Sequence, residues 1–175
     1  MGACSAAVIY YFYMKLGNVK IWVIVLSLAL IGITVFILSN SLLDFEASHS
    51  SSGAIIDTIM PDGTKDVLID DKTVEYYVRK AAHFLEYSLL GFAAISLSFV
   101  LTSLTKQNVY VGFSLFYVLA IAVLDEHIQS LSDRSSSTFD ILLDFSGSLF
   151  GILLSSVIFF CIYRSKYGKK QSASV

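Results

Sequence analysis

The sequence predicts an all-α protein: an integral membrane bundle of four transmembrane helices, with both the N and C termini in the cytoplasm. Hydrophobic residues make up 55% of the chain and charged residues only 15%, and the mean hydropathy is +0.71. Soluble domains seldom reach this balance. Four separate apolar stretches are long enough to cross a bilayer, which takes about 20 residues. Basic residues gather at one end of these stretches and acidic residues at the other, which predicts the orientation.

The four predicted spans are each bounded by polar residues. They cover roughly residues 21–38, 81–104, 109–129 and 139–163. The single proline, Pro61, lies outside all of them, so no span needs a proline kink. An earlier apolar run, AAVIYYFYM, is too short to span and is expected to be a lead-in or interfacial segment.

The spans divide the chain into three regions. We expect residues 1–20 to form a cytoplasmic or interfacial segment, residues 21–163 the four-helix transmembrane domain, and residues 164–175 a basic cytoplasmic tail. An acidic loop at 42–78 separates the first two spans. The two cysteines lie near opposite chain ends and predict neither a disulfide framework nor a metal site.

The charge distribution predicts which side of the membrane each end faces. With four spans, both termini share one side, and that side holds Lys15, Lys20, Lys106 and the basic tail. The other side holds all 14 Asp and Glu residues. Because cytoplasmic loops collect Lys and Arg, the termini should be cytoplasmic and loop 42–78 extracytoplasmic.

Three of the predicted helices bring polar side chains to the same depth, in the outer leaflet. Span two enters the membrane with His83 and Glu86, span three leaves it with Asp125, and span four enters it with Asp140 and Asp144. Within each helix these groups and their polar neighbours are three or four residues apart, so they share a face. Charges within a bilayer usually face the bundle interior and pair. We therefore predict one polar pocket shared by spans two, three and four and open to the outside.

Several of these residues also have a purely structural interpretation. Arg79 and Lys80 can snorkel to headgroups, and His83 with Glu86 can be a hydrogen-bonded pair. Asp140 follows Ser137 in a capping-box arrangement. Asp125 and Glu126 are adjacent and point about 100° apart, so only one need face the pocket, and we favour Asp125. We expect His49 and His127 to lie on the surface.

Span four carries small residues on the face of its two aspartates. Gly147, Gly151 and Ser155 continue that face, and GSLFG is a G-x-x-x-G pair that permits close helix approach. We expect the deeper half of this face to be tightly packed and the outer half to line the pocket. An exposed glycine face would instead be able to pair two chains.

Three motifs, RKAAHFLEY, DEHIQSLSDRSSSTFD and DFSGSLFG, occur in order along the chain. Together they resemble the VanZ-like family of bacterial membrane proteins, named for an accessory factor in resistance to the glycopeptide antibiotic teicoplanin. The resemblance covers roughly residues 35–160, including FILSNS at the end of span one. The family pattern is matched by His83, Phe84, Glu86, Tyr87, Asp125, Glu126, Gln129, Arg134, Asp140, Asp144, Gly147 and Gly151. The resemblance implies a multi-pass protein of the bacterial cell membrane with an envelope role.

The residue types indicate what the pocket can do. A histidine among carboxylates can perform general acid/base catalysis or bind a divalent cation. Arginine can bind phosphate or carboxylate through two parallel hydrogen bonds. We predict catalytic roles for His83, Glu86, Asp125 and Asp144. We predict substrate binding by Arg79, Tyr87, Glu126, Gln129, Arg134 and Asp140. The expected partner is a membrane lipid or a lipid-linked cell-wall precursor, and no nucleic acid is expected. The residues do not indicate whether the pocket holds a metal ion or a cofactor.

Three classes of function remain open. The first is an enzyme, a hydrolase or transferase acting on a lipid-linked substrate. The second is a binding or shielding protein that alters access to envelope precursors without chemistry. The third is a transporter or assembly factor whose polar cluster is a proton relay or a structural network. Transport is disfavoured, because no polar residue is expected to continue the path inward beyond Ser96 and Ser155.

Overall fold

The structure, a computed structural model, describes most of the predicted membrane domain. The described residues are 19–42, 71–105, 107, 109–131 and 137–171. They form four helices and no strand, which confirms the all-α prediction. The helices are α1 (Val19–Ser41), α2 (Asp71–Thr105), α3 (Val109–Leu131) and α4 (Thr138–Gln171). The AAVIYYFYM run, His49, Arg134 and residues 43–70 of loop 42–78 lie outside the described residues.

Every described helix contains a segment long and apolar enough to cross a membrane, so the four-span prediction is confirmed. These segments are Val19–Ser41, Tyr76–Thr105, Tyr110–Leu131 and Thr138–Cys161. Helix α2 begins at Asp71, well before the predicted start of span two. The added turns are polar but contain neither glycine nor proline, so the helix continues although the apolar pattern has ended.

Large apolar side chains cover the outside of the bundle. On α1, Leu28 and Val35 are exposed, and on α4 Leu153 and Phe160 are exposed. Only a small part of α1 is buried against its neighbours. Such a surface suits hydrocarbon, in which helices satisfy their own backbone hydrogen bonds. The chain is therefore a multi-pass membrane protein.

Helix α2 is the centre of the bundle. It contacts α1, α3 and α4, and its most extensive contact is with α4. Interhelical contacts define two ends of the bundle. At one end, Ile37 of α1 packs in a cluster with Tyr87 of α2 and Ala122 of α3. At the other, Val19 packs with Val100. Consecutive helices therefore run in opposite directions.

Glycines allow α2 and α4 to approach closely. A Cβ on Gly147 would lie 2.6 Å from the Phe84 carbonyl oxygen, and a Cβ on Gly151 would overlap the Ser88 carbonyl. A Cβ on Gly91 would overlap the Ser148 carbonyl in the same way. The predicted tight packing of this face is confirmed. The face is not exposed for pairing two chains, because α2 covers it.

Buried hydroxyl groups link the helices in the other half of the bundle. Ser96 and Ser155 are 3.0 Å apart. Ser98 bonds to Ser114, which also donates to the Ala94 carbonyl at 3.0 Å. Thr102 and Ser103 are also buried. The prediction that polar residues stop at Ser96 and Ser155 is thus wrong. These uncharged groups join helices in a setting without water.

Candidate functional site

One residue from each of three helices meets at the end of the bundle where α2 and α4 begin. We call His83, Asp125 and Asp144 the polar cluster. His83 Nδ1 lies 3.5 Å from Asp144 Oδ1 and 3.9 Å from Asp125 Oδ2. The side chains of Asp125 and Asp144 are 0% and 1% exposed, whereas His83 is 18% exposed. The cluster is therefore buried, and histidine is its most accessible member.

The glycine packing explains how Asp144 reaches His83. Gly147 lies within one turn of Asp144 on α4, and it touches the backbone of Phe84, the residue after His83. A side chain at position 147 would hold the two helices apart. The sequence thus combines an intramembrane aspartate with the small residue that brings its helix to the histidine.

Asp125 is held by hydrogen bonds from two helices. Ser41 Oγ at the end of α1 donates to Asp125 Oδ1. Gln129 Nε2, one turn further along α3, donates to Asp125 Oδ2 at 3.0 Å. The spacing of Asp125 and Gln129 predicted their shared face. The role of Ser41 was not predicted, although FILSNS at the end of span one belongs to the motif pattern.

Glu86 lies on α2 one turn beyond His83 and is also linked to α1. Asn40 Nδ2 donates to Glu86 Oε1 at 3.3 Å. The suggested structural pair of His83 and Glu86 is not what the side chains form, because His83 faces the two aspartates instead. Four helices therefore build the site, whereas the sequence predicted three.

Asp144 differs from Asp125 in its hydrogen bonding. Both of its carboxylate oxygens are buried, and neither has a hydrogen-bond partner among the described residues. The closest polar group is the His83 imidazole, at an ion-pair distance. Buried polar atoms normally find partners, so a carboxylate in this position needs an explanation.

Lys80 forms an ion pair one turn before the cluster. Its Nζ contacts Asp140 Oδ1 of α4 and lies 5.4 Å from the centroid of the Tyr76 ring. The ammonium group of Lys80 is therefore directed to another helix, and its headgroup-snorkelling interpretation stays a prediction. Arg79 is half-buried on the neighbouring position of α2.

Glu126 and Ser137 fasten the start of α4. The Ser137 hydroxyl accepts the Phe139 N–H at 3.2 Å, as an N-cap does. The Ser137 N–H in turn donates to Glu126 Oε2 at 3.1 Å. Glu126 of α3 thus takes the place that a capping-box acid would have, and Asp140 is left to pair with Lys80. The cap prediction holds for Ser137 and not for the Asp140 carboxylate.

The remaining predicted site residues lie at different distances from the cluster. Tyr87 is fully buried, with its ring in the apolar core and its hydroxyl close enough to Asp125 to interact with that carboxylate. Gln129 and Asp140 are placed by the bonds given above, and Arg134 lies outside the described residues. His127 is exposed, as expected.

An apolar groove of about 300 Å³ between α1, α2 and α3, which contains Leu101 and Tyr110, lies in the other half of the bundle and is separate from the cluster.

Four membrane-crossing helices around a buried His–Asp–Asp cluster define a multi-pass membrane protein with an intramembrane polar site. A profile of the VanZ/LLP1 family matches residues 23–160, a range that contains the whole polar cluster and the chain segments that position it. The chain belongs to the VanZ/LLP1 family, and the resemblance seen in its three motifs is confirmed. It is accordingly a VanZ-like envelope protein of a family linked to glycopeptide resistance. No curated protein and no solved structure matched the chain in the other two comparisons.

Proposed function

We propose that the polar end of the bundle is an extracytoplasmic site that binds the anionic group of a lipid-linked envelope molecule. The single observation that supports this most is the convergence of His83, Asp125 and Asp144 from three helices. An intramembrane group of this kind is a functional-site hypothesis by default. The ligand class includes lipid-linked cell-wall precursors and phospholipid headgroups.

The cations next to the cluster support an anionic ligand. Arg79, Lys80 and His83 follow one another within about one turn of α2, at the end of the bundle that holds the cluster. Arginine presents a planar fork that matches phosphate or carboxylate. The Lys80 ammonium already lies against Asp140, so a bound phosphate would compete with this carboxylate for it. Arg134 is a further candidate in the neighbouring α3–α4 connection.

The apolar surface around the cluster supports a ligand with a lipid tail. Leu85 and Leu89 of α2 are exposed on either side of Glu86 and Tyr87, and Phe139 is exposed at the start of α4. A lipid can therefore keep its acyl chain in the bilayer while its headgroup reaches the polar end of α2.

The location in a bacterial plasma membrane and the outward orientation are part of the proposal. They rest on the family and on the positive-inside rule. The described Lys20 lies at the start of α1, at the end of the bundle opposite the cluster. The basic residues Arg164, Lys166, Lys169 and Lys170 lie in the last turns of α4, at that same end.

Catalysis is the second stage of the proposal. His83 would act as a general base or acid, with Asp125 and Asp144 orienting and stabilising the imidazolium, and Glu86 as the further carboxylate within one turn. A hydrolase or transferase reaction on the lipid-linked group fits these roles. A binding or shielding protein would use the same residues without turnover.

A structural network is the competing function, and specific contacts favour it. Lys80–Asp140, Ser137–Glu126 and Ser41–Asp125 each join two helices and satisfy one another's polar groups. Asp144 does not fit this interpretation, since its oxygens gain no hydrogen bond within the described residues. We therefore assign the structural role to the surrounding pairs and place the anionic group of the ligand at His83 and Arg79, with Asp144 as the acceptor for a hydroxyl group of the same headgroup.

Mass spectrometry of co-purifying lipids tests the proposal. The wild-type protein and the variants His83→Ala, Asp144→Asn and Arg79→Ala are purified in the same mild detergent. His127→Ala is the matched control, because His127 is exposed on α3. We expect an anionic or lipid-linked species to be enriched with the wild type and with His127→Ala and to be reduced in the other three at equal melting temperature. Identical lipids in all five samples would contradict the proposal.

A further inference from the structure

The polar cluster has the donor set and the spacing of a metal site. His83, Asp125 and Asp144 each offer one ligand atom, and these atoms all lie within 4.8 Å of one another. Ligands at about 2.1 Å from a tetrahedral metal ion are roughly 3.4 Å apart. The distances from His83 Nδ1 to the two aspartates, 3.5 and 3.9 Å, are close to that spacing. They exceed the roughly 2.7–2.9 Å of a charge-assisted hydrogen bond.

The buried oxygens of Asp144 supply an independent observation. The side chain is 1% exposed, and neither oxygen has a hydrogen-bond partner among the described residues. His83 lies at an ion-pair distance from one of these oxygens, but a buried carboxylate that accepts no hydrogen bond is unfavourable in a low-dielectric setting. A cation between Asp144 and Asp125 would give these oxygens a partner. Two carboxylates and a neutral imidazole would also balance the charge of a divalent ion.

Asp125 has the second layer of hydrogen bonds that orients a metal ligand. Ser41 and Gln129 donate to its two oxygens from α1 and α3. Ligating carboxylates are typically held in this way, and loss of such partners costs about 10–100-fold in metal affinity. Each carboxylate oxygen can still bind a metal ion, because accepting one hydrogen bond uses only one of its two lone pairs.

We propose that His83 Nδ1 and the carboxylates of Asp125 and Asp144 bind one divalent transition-metal ion, Zn²⁺ or Mn²⁺. The mixed set of one nitrogen and two oxygen ligands suits these ions better than Mg²⁺, which prefers oxygen alone. Three protein ligands leave a coordination position for water or for a ligand oxygen, as in catalytic zinc sites. His83 would then be a ligand, and Glu86 one turn away would be the base. The metal site shares residues with the proposed function but does not depend on its lipid ligand.

Titration of the full-length, chelator-treated protein in lipid-free detergent with Mn²⁺ tests this site, with electron paramagnetic resonance as the readout. We expect one ion per chain, which Zn²⁺ displaces, and a ¹⁴N coupling from the imidazole in the pulsed spectrum. His83→Ala and Asp144→Asn should weaken binding at least about 100-fold, beyond the range for outer ligand partners. Ser41→Ala, a positioning change, should weaken it about 10-fold.

The control variant is His127→Ala, which removes an exposed imidazole outside the cluster. It should bind Mn²⁺ like the wild type. Absence of stoichiometric binding, a bound signal without ¹⁴N coupling, or unchanged affinity in Asp144→Asn would each overturn the proposal. The wild-type ¹⁴N coupling needs no variant, so the test stands even if a variant fails to fold. Because no lipid is present, failure here is distinguishable from failure of the lipid-binding proposal.

Discussion

Gly147 of α4 lies against the backbone of Phe84 in α2, so that a Cβ at this position would be 2.6 Å from the Phe84 carbonyl oxygen. This contact lies next to His83 in one chain segment and one turn from Asp144 in the other. The contact that brings the two helix backbones close together therefore also brings His83 and Asp144 together. A substitution of this glycine should affect both.

Gly147→Leu should destabilise the bundle and separate His83 from Asp144. Overpacking a well-packed contact costs about 1–3 kcal/mol, and the contacting atoms here belong to backbone that cannot rotate away. The measurement is the melting temperature in detergent together with Mn²⁺ affinity. Gly112→Leu is the matched control, because a Cβ there meets nothing within 4 Å. Equal effects of the two substitutions would contradict this account of the α2–α4 contact.

Asp144→Asn and Asp125→Asn should have opposite effects on the stability of the metal-free protein. The Asp144 carboxylate has no hydrogen-bond partner among the described side chains and lies within 4.8 Å of the Asp125 carboxylate, so removing its charge should relieve a like-charge repulsion that outweighs its ion-pair contact with His83 and should raise the melting temperature. Asp125 accepts hydrogen bonds from Ser41 and Gln129, and an amide in its place would lose part of them. Thermal unfolding of both variants after chelation checks this difference. A lower melting temperature for both would mean that Asp144 has a structural partner.

Lys80 and Asp140 should show a measurable coupling energy. Their side chains are only 23% and 16% exposed, so we expect more than the 0.2–1 kcal/mol typical of surface pairs, on the order of 1–2 kcal/mol. A double-mutant cycle with Lys80→Met and Asp140→Asn measures it from unfolding free energies. Additive effects of the two substitutions would show that the pair contributes nothing to stability.

The junction of α3 and α4 should depend on the Ser137 cap. Ser137→Ala removes the oxygen that accepts the Phe139 N–H and should cost about 1 kcal/mol of unfolding free energy. Glu126→Ala removes the acceptor of the Ser137 N–H and should cost about 1–3 kcal/mol, because it leaves that donor unpaired. The control is Ser146→Ala, an exposed α4 serine that bonds only to its own helix among the described contacts. A Ser146→Ala effect as large as the other two would contradict a specific cap.

The proposed orientation predicts which positions water-soluble reagents reach from outside the cell. In a background without Cys4 and Cys161, cysteine at Ser52 in loop 42–78 should react with a membrane-impermeant maleimide in intact cells. Cysteine at Ser174 in the basic tail should react only after the cells are lysed. The reverse labelling pattern would place the polar cluster in the cytoplasmic leaflet and would remove the basis for an extracytoplasmic ligand.

The sequence could predict the elements of the site because the relevant signals are local. Apolar length predicts a membrane-crossing helix, and the helical repeat places Asp125 with Gln129 and Asp140 with Asp144. The start of α2 could not be predicted in the same way. Its first turns are polar, and apolar patterning reports where lipid begins and not where helical hydrogen bonding begins.

The partners of the charged residues depend on how the helices pack against one another. Nothing in the sequence near Lys80 indicates Asp140, and nothing near Glu126 indicates the Ser137 backbone, since each pair depends on how far two helices rotate and slide against each other. The same holds for Asn40 and Ser41, which join the site only because the end of α1 lies beside α2 and α3.

The amino-acid sequence by itself determined the class of protein, the number of spans and the helix faces that carry polar groups, because hydrophobicity and the helical repeat act over a few residues. Only the tertiary structure decided that His83 faces Asp125 and Asp144, that Glu126 caps α4 and that Asp144 is left without a hydrogen-bond partner among the described residues. Those outcomes depend on the depth and rotation of each helix, which the glycine contacts between α2 and α4 set across long separations in the chain.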